Sequence, residues 1–200
     1  MERAETTTDP AERSVLLIGK SRLVLDESVA GLRELGYTAE GTNDFTDITR
    51  RFDAKEIDLV VFGRQVPGDR KAELREEFET INPKVILVQG LAGIPGLIIN
   101  QVRGAFAASH QDSTDAPTYA PDDRSIRLTL SGPTHVKVTA WWQTNFVPPD
   151  PRSDSLLLVD DELAGGDHAI PVPDRVPPKA AFATVEVDAA IYAFSLAANN

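Results

Sequence analysis

The sequence predicts an α/β domain followed by an all-β domain: a four-stranded parallel β/α unit, strand order 2-1-3-4, then a small antiparallel β-sandwich. Two observations carry this. In the first half, short apolar runs alternate with stretches whose apolar residues recur every three or four positions, which is the signature of strands joined by right-handed helical crossovers. In the second half the period drops to two and turn residues punctuate the chain every few residues.

Val15-Leu-Leu-Ile18 with Gly19 reads as a strand buried on both faces. Ser21 caps the next helix, Leu25, Val29, Leu32 and Leu35 form its inward face, and Gly36 ends it. Tyr37–Glu40 is a weaker strand, and Asp44 opens a second helix with Ile48 and Phe52 inward. Asp58–Phe62 is the third strand, and Asp69–Ile81 a charged helix with Leu74, Phe78 and Ile81 inward. Val85–Val88 is the fourth strand, and Pro95 suits the first turn of a fourth helix with Ile98, Val102 and Phe106 inward. The sequence thus divides into a disordered tail at 1–13, an α/β domain at 14–107, a Ser-, Asp- and Pro-containing linker at 108–124 and a β-sandwich at 125–198.

In the second half, Ile126, Leu128 and Leu130 alternate with polar residues, and Ser131-Gly132-Pro133 turns the chain. Val136, Val138, Ala140 and Trp142 then alternate with His135, Lys137, Thr139 and Trp141. Further strands are expected at 155–159, 168–172, 182–187 and 191–196. Asp160-Asp161-Glu162, with Asp167 beyond Gly165-Gly166, reads as an acidic hairpin turn, since it fits no EF-hand spacing.

The chain has 200 residues, 42% of them hydrophobic and 26% charged, and a net charge of −11. That field repels nucleic-acid phosphates and anionic lipid, so neither is an expected partner. There is no cysteine, which excludes disulfides and thiolate chemistry, and His110, His135 and His168 stand at no metal-ligand spacing. No metal or cofactor is expected. The polar N-terminus and the lack of any apolar run near the roughly 20 residues of a membrane helix make the cytoplasm the expected compartment.

Asp58-Leu-Val-Val-Phe-Gly63-Arg-Gln-Val-Pro67-Gly68 resembles the third strand and following loop of the receiver domain of two-component response regulators, a flavodoxin- or Rossmann-like fold. The resemblance covers about residues 14–107 and lacks a fifth strand and helix. It implies a degenerate receiver. Gly63 stands at the phospho-acceptor position and has no side chain to phosphorylate. Gly19-Lys20 stands where the acidic metal-holding residues belong, and a lysine repels a divalent cation. Gln89-Gly90 replaces the usual Thr or Ser. Gly19-Lys20-Ser21 also lacks the glycines that a Walker A loop or a dinucleotide fingerprint needs.

Ligands of open parallel sheets bind at the carboxyl ends of strands. Gly19, Lys20, Ser21, Gly63, Arg64, Gly90 and Gly93 fall there, and their positive charge and helix N-termini make a candidate anion site. Trp141, on the more polar side of its strand, is a candidate anchor for a partner, with packing under another element as the alternative. No catalytic residues emerge: Ser109-His110 lies in the linker, and Glu76, Glu77 and Glu79 belong to a solvated helix face. The expected function is a non-enzymatic regulatory or scaffold protein that binds another protein or itself, and the alternative is a sensor of a small anionic ligand or nucleotide.

Overall fold

The computed structural model describes residues 13–108, 116–145 and 152–197. Its internal contacts divide the chain between Gln89 and Gly90 into two units.

The first unit contains β1 (Ser14–Ile18), α1 (Arg22–Glu34), β2 (Thr38–Thr42), α2 (Ile48–Arg51), β3 (Leu59–Phe62), α3 (Gly68–Ile81) and β4 (Ile86–Gln89). The strands form one parallel sheet in the order β2-β1-β3-β4, the expected order. Leu16, Ile18, Val60 and Phe62 point to one face and pack with Ile48, Leu74 and Phe78 of α2 and α3. Alternation sends Val15, Leu17, Leu59 and Val61, also buried, to the other. Right-handed crossovers require α1 on that second face, because β1 to β2 and β2 to β3 run in opposite directions across the sheet.

Local chemistry sets the ends of α1. The Ser21 hydroxyl accepts from Val24 N–H at 3.4 Å, and Gly36 adopts φ +94°, the left-handed stop that glycine takes without strain. The second helix begins later than its pattern predicts. Asp44 instead closes a turn, its carboxylate accepting from the Thr46 N–H (3.0 Å) and hydroxyl (2.7 Å), and α2 starts at Ile48 after Asp47.

The second unit begins with α4 (Pro95–Ala108) and continues through β5 (Thr118–Ala120), β6 (Ser125–Leu130), β7 (Thr134–Asn145), β8 (Arg152–Leu163), β9 (Gly166–Pro171), β10 (Ala181–Val187) and β11 (Ala190–Ser195). Two antiparallel sheets, β11-β10-β7-β8 and β5-β6-β9, share one core. Ile126, Leu128 and Ile170 come from the smaller sheet and meet Val136, Val138, Ala140, Trp142 and Val185 of the larger. The expected linker is therefore not uniform: Thr118–Ala120 pairs with β6, and Tyr119 packs on the core. Residues 109–115, with Ser109 and His110, lie outside the described residues, as do residues 1–12 of the expected tail.

The larger difference concerns α4. The sequence pattern joins it to the α/β domain, yet it lies on the outer face of the larger sheet, where Leu97 and Ile94 cluster with Phe182, Trp141 and Ala193. Two glycines permit the close approach. A Cβ on Gly96 would collide with the Trp141 ring, and one on Gly104 with the Ile191 carbonyl oxygen. Arg103 then pairs with Glu186 of β10 at 3.0 Å.

Both connections that cross between the sheets at one end, β6 to β7 and β8 to β9, meet through glycines. A Cβ on Gly165 would stand 3.0 Å from the Gly132 Cα, so the β8–β9 turn needs its glycine to lie against the β6–β7 turn, whereas a Cβ on Gly132 would meet open space. Asp160, Asp161 and Glu162 are not part of the turn; they continue β8, opposite Lys137, Val136 and His135. The turn itself is Ala164-Gly165. No described helix is long and apolar enough to cross a membrane.

Candidate functional site

At the carboxyl edge of the parallel sheet, backbone meets backbone. Gly63 N–H donates to Ile18 O at 2.8 Å, and a Cβ on Gly63 would lie 3.2 Å from that oxygen and 3.3 Å from the Gly19 Cα. Gly19 N–H donates to Thr42 O at 3.0 Å. These two predicted anion-site glycines thus spend their N–H groups on the sheet, and Gly63 also spends its smallness on packing against Gly19. Ser21 caps α1, and Lys20 is exposed in front of that cap. Arg64 lies in the turn after β3, closed by Val66 N–H donating to Gly63 O at 3.2 Å. Gly90 and Gly93 belong to the second unit, in the segment leading into α4.

Gln89 has taken over the end of β4. Its Nε2 donates to Phe62 O at 2.9 Å, and its Oε1 accepts from Lys71 Nζ at 2.7 Å. The amide thus bridges a strand carbonyl and a lysine at the carboxyl edge of the sheet.

Trp141 and Trp142 occupy opposite faces of β7, as period two requires. Trp142 is in the sandwich core, and Trp141 is part-buried against α4, with its Nε1 donating to Thr184 Oγ1 at 2.9 Å. The ring and its polar tip are both engaged within the unit. Among the described residues, no group of three or more acidic or histidine side chains could hold a metal ion.

The sequence reading missed a different feature. β8 and β9 are edge strands of their respective sheets on the same side of the sandwich. The gap between them is an open cleft of about 620 Å³ lined by Leu156, Leu158, Val159, Ile170, Pro171 and Pro173 among others. A bulge shapes it: Val138 pairs with Val159 and Thr139 with Leu157, leaving Leu158 as an extra residue. Leu156, Leu158 and Val159 consequently all pack toward the core, while Leu157 turns outward and is 51% exposed. Arg124, at φ +49°, holds the segment after β9, which includes the lining residue Pro173, by donating to the carbonyls of Val172 (3.4 Å), Pro173 (3.2 Å) and Val176 (2.8 Å). The available signal was the run Leu156-Leu-Leu-Val159 itself, four apolar residues where a half-buried strand alternates.

Charge rings the apolar centre. β8 carries Asp154, Asp160, Asp161 and Glu162 against Arg152, and β9 adds Asp167. Asp160 is shared with His135 (3.1 Å) and Lys137 (3.9 Å). Asp154, Asp161 and Glu162 have no ion pair among the described residues; the first two accept from the N–H groups of Ser155 and Glu162, each at 2.8 Å.

The two units are, by architecture, a parallel α/β sheet and a helix-backed antiparallel sandwich. No protein-family model matches the chain, and no curated protein shows significant similarity to it.

Proposed function

We propose that this chain is a non-enzymatic regulatory or scaffold protein: a pseudo-receiver α/β unit joined to a β-sandwich that binds another protein. The observation that carries the reading is the open cleft between β8 and β9, with the exposed Leu157 beside it. Large apolar side chains bordering an open cleft and rimmed by charge are the makings of a protein-binding surface. The pseudo-receiver assignment is supported by Gly63 at the acceptor position, Lys20 where metal-holding acids belong and the Gln89 bridge.

A photo-crosslinking side chain placed at Leu157, with one at the exposed Leu23 of α1 as control, tests the reading in cells that make the protein. A discrete adduct at Leu157 alone is expected. The captured protein, purified, should bind the parent chain and lose at least tenfold in affinity for Leu157→Lys. No adduct specific to Leu157 would end the proposal.

The anion-sensor alternative rests on one observation: Lys20 is exposed just before the N-terminus of α1, whose first turn has no acidic residue.

A further inference from the structure

The partner's chemistry follows from the edge it would meet. β8 is a twelve-residue edge strand, roughly 40 Å of backbone at about 3.3 Å per residue, whose described pairing is to β7 on one side only. A strand edge offers N–H and C=O groups to any extended chain, and proteins guard long edges with charge and bulges. Here the guarding is uneven. At its flanks, the N–H groups of Ser155 and Glu162 are occupied by the neighbouring carboxylates of Asp154 and Asp161. Between them lies the apolar stretch Leu156–Val159, which opens onto the cleft.

Charge then selects among occupants. A second copy pairing antiparallel about the Leu157–Leu158 step would set Asp154 opposite Asp161, both on the cleft-facing side of the strand. Like charges directly opposite destabilise a strand pair. The net charge of −11 adds long-range repulsion between copies. A segment with an apolar centre and Lys or Arg on both flanks meets opposite charge at both ends of β8, with Arg175 the one permanent cation among the described residues that line the cleft itself. Its alternate apolar side chains enter the cleft toward Leu158 and Ile170, and its cations meet Asp154 at one end and Asp161 and Glu162 at the other.

We infer that the edge of β8 binds an extended, basic-flanked apolar polypeptide segment, which adds to the larger sheet as its fifth strand. This rests on the protein-binding reading above and specifies how that binding is made.

The test uses the full chain and a nine-residue probe, acetyl-Lys-Lys-Val-Thr-Val-Thr-Val-Lys-Lys-amide. Its comparators are the same peptide with Glu for every Lys and two forms N-methylated on alternate central amides, one for each pairing register. Fluorescence anisotropy should show the lysine peptide binding at least tenfold more tightly than the glutamate peptide. One N-methylated register should lose at least tenfold and the other little, because strand addition uses only alternate amides. Amide shifts should concentrate at 154–162 and 167–171. Asp154→Lys with Glu162→Lys, both at exposed positions, should weaken the lysine peptide by about fivefold, as expected for two cross-strand ion pairs.

Equal binding of lysine and glutamate peptides, indifference to both N-methylation patterns, or shifts confined to another surface would overturn the inference. So would a dimer in light scattering that Leu157→Lys dissociates, since the occupant would then be a second copy. A specific crosslink at Leu157 without peptide binding would reject strand addition while leaving the protein-binding reading intact. Absence of both would reject the two together.

Discussion

The indole of Trp141 fills the space that a Cβ on Gly96 would need, and eight residues along the same helix the Ile191 carbonyl does the same at Gly104. α4 is seated on its sheet by the absence of two side chains. Glycine inside a helix costs roughly 0.5–1 kcal/mol relative to alanine, so these two are retained against local propensity.

Gly104→Ala is therefore expected to destabilise the second unit although alanine favours helix. Overpacking costs about 1–3 kcal/mol, and a strand carbonyl cannot rotate away as a side-chain tip can. Gly96→Ala should cost less, because the Trp141 ring can tilt. Urea unfolding followed by tryptophan fluorescence measures both, and equal or raised midpoints would contradict this account of α4.

Trp141→Phe should keep most of the packing on α4 but leave Thr184 Oγ1 without its indole donor, for a loss of about 1 kcal/mol from the hydrogen bond plus a smaller packing cost. Trp141→Ala should cost about 3 kcal/mol, the low end for a large aromatic because the ring is only part-buried. A Trp141→Ala protein as stable as the parent would return this residue to its predicted role as an exposed anchor.

Acid should weaken the second unit partly through Asp123. Its carboxylate is held below the usual range, first by the Ser125 hydroxyl (2.7 Å) and then by the Arg127 guanidinium (2.8 Å). A depressed folded-state pKa means a contribution that is present above the unfolded value, near 3.9, and lost as pH falls through the lower folded value. Asp123→Asn should lower the melting temperature at pH 7 and change it little in strong acid, and so flatten its decline between about pH 5 and pH 3. Asp44, held down first by the Thr46 hydroxyl, should behave alike in the first unit.

If the α/β unit senses an anion, nucleotides or inorganic phosphate should raise the melting temperature by a few degrees at saturating concentration, and Lys20→Ala should abolish the effect. A flat response across a panel of phosphorylated compounds would remove that reading and leave protein binding as the remaining one.

The parallel sheet was legible in the sequence because its central strands, β1 and β3, are buried on both faces, which makes runs such as Val15–Ile18 continuously apolar. Handedness fixes the face of each crossover helix once the order is known, and does not itself fix the order. The placement of α4 was not legible. Ile98, Val102 and Phe106 mark a buried helix face, but periodicity reports that a face is buried and not what covers it. Gly96 and Gly104 were the clue, since glycines eight residues apart on one helix signal a close neighbour. In the same way Lys20 and Gly63 could be assigned to the sheet's carboxyl edge, whereas the Gln89 bridge depends on side-chain reach. Asp160–Glu162 looked like a turn because acids are poor strand formers; pairing with Lys137 and His135 across the ladder outweighed that preference.

The bulge at Leu158 gives β8 a reading frame. Upstream of it the even-numbered side chains, such as Leu156, face the cleft; downstream the odd-numbered ones, Val159 and Leu163, do. Pairing the strand straight through, with Leu158 taken into the ladder instead of bulged, would leave every residue chemically unchanged yet invert one half of the strand, turning Asp160 or Leu157 inward according to which half slips. The specificity of this edge is thus written partly in arithmetic: the same residues paired without the bulge would share its composition without sharing its surface.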